Sequence, residues 1–459
     1  MTDFSYIEDA ERRARRYLKT LDQRRVFPDQ AALENLALFD EALPDTGRPG
    51  GETVALLDDA GSPATVASNG PNYYGFVIGG TLPEVLAAER LTSAWDQCAS
   101  SFANSPVAHK LEQVAGGWVL DVLGLPEGSA VTFGTTSTAC GMACLTAARR
   151  ELLARQGWDF DEQGLSGAPE IRVVVSETAH VTLLKVLRVL GFGLGAVVKA
   201  PVDEFGRIDP GRLPPLDDRT ILCLQAGEVN TGEFDPFTRI IPRARAAGAW
   251  VHVDGAFGLW AKASPRLRHF AEGAELADSW TVDGHKWLNT PYDGSIGICR
   301  KPGALSEAMN SDAAYSSASP DSQKNLGIEF SRRARGIAIW AALRSLGRQG
   351  LAEMFERHCR QARHMAGALE AAGATVLNRV VLNQVLFRLE TDEETRACMQ
   401  HAVDTGKIWF GPTVWQGKTA CRLSLSNWQS SDETIRAAVE TLSASIRSTV
   451  KRPEAAARG

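Results

Sequence analysis

An α/β fold with a mainly parallel, seven-stranded sheet is predicted by two features of the sequence. From residue 73 onward, short apolar runs rich in β-branched residues alternate with longer helical segments. Apolar runs without alternation are typical of strands buried on both faces, and intervening helices would cover those faces. The seven runs lie at residues 130–133, 171–175, 196–198, 221–224, 250–253, 279–282 and 296–299.

Three regions are predicted along the chain. Residues 1–72 have the pattern of an N-terminal helical arm, which includes a Gly- and Pro-rich connecting segment at 45–70. Such an arm buries little surface on itself, so we expect it to pack on a partner subunit. Residues 73–345 form the predicted large domain, and residues 346–459 form a small C-terminal α/β domain.

Composition and charge are typical of an ordinary soluble protein. The 459 residues are 44% hydrophobic and 23% charged, and the net charge of −6 gives no reason to expect nucleic acid or a membrane surface as partner. The eight cysteines form no CxxC pair and no metal-ligand spacing, so we expect no metal and reduced thiols. The first residues lack the apolar core of a signal peptide, and no run approaches a membrane span, which favours a cytoplasmic location.

The chemistry is predicted first by Asp254 and Lys286. Asp254 ends the apolar run WVHVD, and Lys286 follows His285 in the segment VDGHKWLN. A lysine amine can condense with an aldehyde, and a buried carboxylate can keep a ring nitrogen protonated. A pyridoxal phosphate (PLP) enzyme needs these two groups from its protein. Taken separately, Lys286 could be a surface lysine and Asp254 could cap the next element.

Two further segments favour the same cofactor. Thr136 and Ser137 lie where a predicted strand enters a helix, so they could bind a phosphate or could simply cap the helix. His180 follows the strand IRVVVS and could stack on a cofactor ring or be an ordinary histidine near a strand end.

Five segments in this order resemble the group II PLP-dependent amino-acid decarboxylases, which include the aromatic-L-amino-acid and glutamate decarboxylases. The similarity extends from about residue 71 to residue 428. The segments are GTTSTA (134–139), AH (179–180), AGEVNTGEFDP (226–236), HVDGAFG (252–258) and DGHKWLN (283–289).

The resemblance implies the aspartate-aminotransferase-like fold (PLP fold type I) and a homodimer with shared active sites. It implies that Lys286 carries the cofactor, that Asp254 pairs with the ring nitrogen and that His180 stacks on the ring. Thr136, Ser137 and His285 match phosphate-binding positions, and Ala256 matches a small residue under the ring. Two positions depart from the family pattern: Asp283 replaces an Asn near the phosphate, and Glu228 replaces a Thr near the cofactor.

Aromatic residues complete the site implied by the resemblance. In the family, a loop at 309–327 carries a tyrosine that protonates the substrate Cα, and Tyr315 is the tyrosine available there. On composition alone, Tyr315 is an ordinary exposed loop tyrosine. Tyr73, Tyr74 and Phe76 resemble the stretch whose aromatics line the substrate pocket, although aromatics are more often core residues. Arg422 could meet a carboxylate or form an internal ion pair.

The sequence therefore predicts a PLP-dependent decarboxylase that converts an L-amino acid to the amine and CO2. The catalytic residues are predicted to be Lys286, His180, Tyr315 and Asp254. Aromatics in the presumed pocket favour an aromatic substrate weakly. An acidic amino acid, a carbon–carbon lyase or aldehyde synthase reaction, and a non-catalytic binding protein are the alternatives.

Overall fold

The computed structural model describes residues 4–311 and 322–450. They divide into two compact units. The first unit contains the residues up to 78, residues 363–377 and the residues from 385 on. The second unit contains residues 79–362 and 378–384.

The secondary structure alternates as predicted through the second unit. The strands are β1 (Ala130–Gly134), β2 (Arg172–Ser176), β3 (Val198–Ala200), β4 (Thr220–Gln225), β5 (Trp250–Asp254), β6 (Ser279–Asp283), β7 (Ser295–Cys299), β8 (Thr375–Val376), β9 (Gln384–Arg388), β10 (Gly411–Trp415) and β11 (Lys418–Ser424). The helices are α1 (Ser5–Lys19), α2 (Gln30–Glu34), α3 (Gly50–Leu56), α4 (Ser62–Ala64), α5 (Pro83–Trp95), α6 (Pro106–Val122), α7 (Ser137–Arg155), α8 (Phe160–Gln163), α9 (Val181–Val189), α10 (Phe237–Ala246), α11 (Ala304–Met309), α12 (Gly336–Ala371), α13 (Asp392–Asp404) and α14 (Asp432–Thr449).

The central sheet of the second unit confirms the predicted sheet. Its strand order is β1-β7-β6-β5-β4-β2-β3. Strand β7 runs antiparallel to both of its neighbours, and the other strands run parallel to one another. The carboxyl ends of β1, β2, β4, β5 and β6 consequently lie at one edge of the sheet, where open α/β sheets bind ligands.

The core of this unit lies between the sheet and the helices that cover it. Val175 and Cys223 in the sheet belong to the same buried cluster as Ala147 and Leu187, which lie on α7 and α9. Burying an aliphatic side chain of this size stabilises a fold by about 1.5–3 kcal/mol. The packing therefore fixes the two helices whose first residues lie at the edge of the sheet.

The first unit contains the N-terminal helices and a four-stranded sheet of order β10-β11-β9-β8. The prediction of a connecting segment at 45–70 was wrong in part, because α3 and α4 occupy its middle. The Gly and Pro content of the segment gives no indication of the ion pairs that hold it in place. Arg13 of α1 reaches Asp58 Oδ2 and Asp59 Oδ1 at 2.9 Å each and so holds the segment against α1.

Helix α12 consists of two helical segments that meet at Gly347. The backbone angles of Gly347 are φ +58° and ψ −176°, which lie outside the helical region. Glycine adopts such angles without a steric penalty, so the chain bends there and resumes the helix. Among residues 4–311 and 322–450, no helix combines the length and the apolar content needed to cross a membrane.

A buried carboxylate, Asp235, ties the end of β4 to a neighbouring loop. Its Oδ1 accepts the backbone N–H of Ile208 at 2.7 Å, and its Oδ2 accepts the backbone N–H of Gln225 at 2.7 Å. Gln225 is the last residue of β4 and lies opposite Asp254 in the neighbouring strand. Asp235 therefore stabilises the edge of the sheet that carries the polar residues.

We predict that Asp235→Asn lowers the free energy of unfolding by about 1–3 kcal/mol, because the new amide would turn an NH2 group toward a buried backbone N–H. Chemical denaturation of both proteins measures this difference. Asp203→Asn is the matched control. Asp203 also accepts two backbone N–H groups, those of Phe205 and Arg207, but its side chain is 29% exposed, so water can replace the lost bonds. Equal losses in the two variants would contradict the role given to Asp235.

Candidate active site

The structure brings most of the predicted site residues to the carboxyl edge of the central sheet. Strands β5 and β6 end at Asp254 and Asp283, and Asp283 lies two residues beyond Thr281, the residue that pairs with Asp254. Thr136 follows β1, and His180 follows β2. The parallel direction of these four strands places their carboxyl ends together.

The N-terminus of α7 offers hydrogen-bond donors to an anion. Thr136 caps the helix, and its Oγ1 accepts the N–H of Ala139 at 3.3 Å. The next residue, Ser137, donates its N–H and its Oγ–H to Asp283 Oδ1 at 3.0 and 2.8 Å. The helix dipole reinforces this preference for a negative charge. Thr136 therefore caps the helix, which was one of the two alternatives, while Ser137 donates to the carboxylate of Asp283.

Lys286 lies in the turn that follows β6. Its Nζ is 3.2 Å from Asp283 Oδ2, and its side chain is 21% exposed, so the amine can be reached from solvent. The backbone of this turn is closely packed. A Cβ atom on Gly79 would lie 2.0 Å from the Lys286 carbonyl oxygen, so only glycine fits there. The lysine therefore stands on a rigid backbone.

The Asp254 carboxyl is under the electrostatic influence of two basic side chains. Burial raises its pKa, and the nearby Lys286 and His180 oppose that rise. Its Oδ1 also accepts the N–H of Ala256 at 3.2 Å. The charge of Lys286, which the sequence already linked to Asp254 through the cofactor, therefore acts on this buried carboxyl group.

His180 occupies the N-cap of α9. Its Nδ1 lies 2.7 Å from Thr182 Oγ1 and accepts the N–H of Thr182 at 3.4 Å. These bonds orient the ring and favour the tautomer that carries its proton on Nε2. The imidazole can then present one N–H away from its own helix.

His285 is held between a backbone donor and an aromatic ring. Its Nδ1 accepts the N–H of Gly294 at 3.2 Å, and its Nε2 is 3.8 Å from Asp283 Oδ2. Burial lowers the pKa of His285, although the charge of Asp283 opposes this effect. The ring of Tyr292 stacks on His285 with centroids 4.4 Å apart. Sequence reasoning missed Tyr292, whose only signal was its place six residues after Lys286.

Small residues in two segments allow β4 and β5 to end in contact. A Cβ atom on Gly258 would lie 2.3 Å from the carbonyl oxygen of Ala226, and one on Gly227 would lie 3.0 Å from the Cα of Gly258. Ala256 follows Asp254, and its carbonyl accepts the N–H of Asp283 at 2.9 Å. Ala256, which has a small side chain, thus links the segment after Asp254 to Asp283 through a backbone hydrogen bond.

Glu228, one of the two departures from the family pattern, is used within its own turn. Its Oε2 accepts the N–H groups of Asn230 and Thr231 at 2.7 Å each. Burial raises the pKa of Glu228, and these hydrogen bonds oppose the rise. The carboxylate therefore stabilises the AGEVNTG turn.

The predicted substrate-binding aromatics belong to the first unit. Tyr73 stacks on Trp409 with centroids 4.9 Å apart, and Phe76 packs on the same indole at 5.5 Å. Phe76 is 58% exposed, whereas Tyr74 is fully buried. Trp409 was missed because nothing in its local sequence connects it with residues more than three hundred positions earlier. Tyr315 lies outside the described residues.

The residues at the sheet edge fit PLP in their chemistry. The lysine amine suits an aldehyde, and the buried carboxylate suits a ring nitrogen. The oriented histidine suits the face of a ring, and the helix N-terminus with its two donors suits a phosphate. Within residues 4–311 and 322–450, no cluster of three His, Cys, Asp or Glu side chains could hold a metal ion.

Comparison with known proteins agrees with this chemistry. The chain is 27% identical over 418 residues to tryptophan decarboxylase 1 of Oryza sativa subsp. japonica. The alignment covers 81% of this chain and 79% of that protein. It is 26% identical over 320 residues to phenylacetaldehyde synthase of a Rosa hybrid cultivar, which covers 65% of this chain and 61% of that protein.

The fold has close structural relatives. The crystal structure of Oryza sativa TDC with PLP and tryptamine matches with a TM-score of 0.89 at 22% identity, covering 97% of this chain and 98% of that one. This likeness confirms the predicted PLP fold type I. The family described as the pyridoxal-dependent decarboxylase conserved domain matches residues 38–390. This match covers well over half of the chain, which therefore belongs to the pyridoxal-dependent decarboxylase family.

Proposed function

We propose that this enzyme decarboxylates an aromatic L-amino acid to the corresponding amine and CO2. The observation that carries the proposal is that Lys286 Nζ lies 3.2 Å from Asp283 Oδ2 at the end of β6 and that its charge acts on Asp254 at the end of the adjacent strand β5. The similarity to a tryptophan decarboxylase supports the aromatic substrate.

Each residue at the sheet edge has a proposed task. Lys286 holds the cofactor covalently, Asp254 keeps the ring nitrogen protonated, and His180 lies on the ring. PLP, when bound, supplies a ring that accepts the electron pair of the bond broken at Cα. Thr136, Ser137, Asp283 and His285 would hold the phosphate, and the small side chain of Ala256 would leave room for the ring.

Proton delivery to Cα is assigned to Tyr315, with His180 assisting. This assignment rests on the resemblance to the family. His180 supports it through its orientation, because Thr182 fixes Nδ1 as the acceptor and leaves Nε2 to carry a proton. Tyr73, Tyr74 and Phe76 are proposed to contact the substrate side chain, although the burial of Tyr74 favours Tyr73 and Phe76 for direct contact.

The proposed assembly is a homodimer with shared active sites, in the cytoplasm. Exposed apolar side chains on the N-terminal helices, such as Ile7 at 64% and Leu57 at 66% exposure, support a partner subunit over this arm. The eight cysteines, which form no CxxC pair, support a reducing compartment. The division into an arm of residues 1–72, a large domain of 73–345 and a small domain of 346–459 also remains a prediction.

We predict that Lys286→Ala abolishes both cofactor attachment and turnover. The wild-type protein incubated with PLP should show the absorbance of a lysine-bound pyridoxal group and release CO2, whereas the variant should do neither. Lys301→Ala is the control, because Lys301 pairs with Glu151 and Glu307 at the protein surface. A variant at position 286 that retains the absorbance band would refute the assignment.

The substrate preference is tested by CO2 release from the standard L-amino acids. We expect tryptophan, tyrosine or phenylalanine to exceed glutamate and aspartate by at least about tenfold in kcat/KM, which is about 1.4 kcal/mol of transition-state binding. Phe76→Ala should lower the preference mainly by raising KM for the aromatic substrates. Faster release from an acidic amino acid would establish the alternative substrate class instead.

Aldehyde formation is the second candidate activity, favoured by the similarity to phenylacetaldehyde synthase. We predict that the wild-type protein forms amine, because Tyr315 can supply the proton, and that Tyr315→Phe shifts the product toward aldehyde. Chromatography of amine and aldehyde measures the ratio. Tyr17→Phe is the control, because its hydroxyl contacts Thr65 within the N-terminal helices. An aldehyde-dominated product from the wild-type protein would show that the enzyme is a synthase.

A further inference from the structure

Asp283 already holds the donors that a phosphate at this site would need. Its Oδ1 accepts both the N–H and the Oγ–H of Ser137, at 3.0 and 2.8 Å. These are the two donors of the first residue of α7. An anion entering the helix N-terminus therefore meets a carboxylate that is already bound there.

The other carboxylate oxygen of Asp283 holds the lysine. Asp283 Oδ2 lies 3.2 Å from Lys286 Nζ and 3.8 Å from His285 Nε2. The side chain of Asp283 is only 3% exposed, so water has little access to either set of contacts. One buried carboxylate thus joins the helix N-terminus to the amine that is proposed to carry the cofactor.

The carboxyl group is charged at neutral pH. Burial favours the neutral acid, but Lys286, His285 and the hydrogen bonds of Ser295 and Ser137 outweigh this effect and hold the pKa of Asp283 below its usual value. A phosphate group at the same donors would therefore lie beside a second negative charge. An Asn at this position could accept the same bonds from Ser137 without that repulsion.

We propose that Asp283 is a built-in anion at the N-terminus of α7, and that a phosphorylated ligand competes with it for the donors of Ser137. The inference deepens the proposed function and rests on it for the identity of the ligand. One carboxyl group pairs with both Lys286 and Ser137. The same negative charge weakens the binding of phosphate.

The test uses the cofactor-free, full-length protein and its Asp283→Asn variant. Calorimetric titration with inorganic phosphate should give a dissociation constant about tenfold lower for the variant than for the wild-type protein. Titration with PLP, followed by absorbance, should shift in the same direction. Inorganic phosphate should compete with PLP in both proteins.

The matched control is Asp278→Asn, which changes the carboxylate directly before the first residue of β6. Asp278 accepts the backbone N–H of Val251 at 2.8 Å, so its removal perturbs the same strand at its amino end. The affinities for phosphate and PLP should remain at wild-type values in this variant. A second variant, Asp283→Ser, also removes the charge and serves if the Asn variant does not fold.

The outcomes separate this inference from the proposed function. Equal or weaker phosphate binding after removal of the Asp283 charge would overturn the inference. Tighter phosphate binding without competition by PLP would also overturn it, because the phosphate would then bind elsewhere. If neither protein develops the absorbance of lysine-bound PLP, the proposed function fails. In that case the phosphate titration still decides whether Asp283 competes for the anion site.

Discussion

The parallel direction of the buried strands is the constraint on which this site depends. Strands covered by helices on both faces cannot carry charged groups along their length, because such groups would be buried without partners. The charges therefore collect where the strands end. Asp254 and Asp283 terminate adjacent strands, and the register between β5 and β6 fixes their separation. The edge of the sheet thus determines which side chains can act together.

Each carboxylate at this edge differs from the others through its neighbours. Asp235 accepts two backbone N–H groups and fixes the end of β4. Glu228 accepts bonds from its own turn. Asp254 instead is influenced by Lys286 and His180, which are side chains capable of chemistry. The residue type of these carboxylates therefore does not distinguish their roles. The neighbouring groups that contact or influence each carboxylate do.

The sequence predicted the large sheet well because its strands are continuous apolar runs, and burial on both faces leaves a strong signal. The small sheet was predicted less completely. Strand β8 has two residues, and β10 begins with Gly411-Pro412, so neither resembles a strand locally. The helices within 45–70 were missed because Arg13, in a distant helix, stabilises them. Local composition cannot record such long-range ion pairs.

The site shows the same division between local and long-range information. Lys286, Asp254 and Ser137 could be named from the sequence because each lies in a recognisable segment at a strand end. The contacts of Asp283 with Lys286 and Ser137 depend on how the strand ends meet.

That dependence explains why the replacement of Asn by Asp could be noticed in the sequence but not interpreted. A charge at this position is tolerated only because Lys286, His285 and the N-terminus of α7 converge on it. The same convergence is what a phosphorylated cofactor requires. A carboxylate placed there pairs with the amine and the helix donors and, for the same electrostatic reason, opposes a phosphate at the same donors.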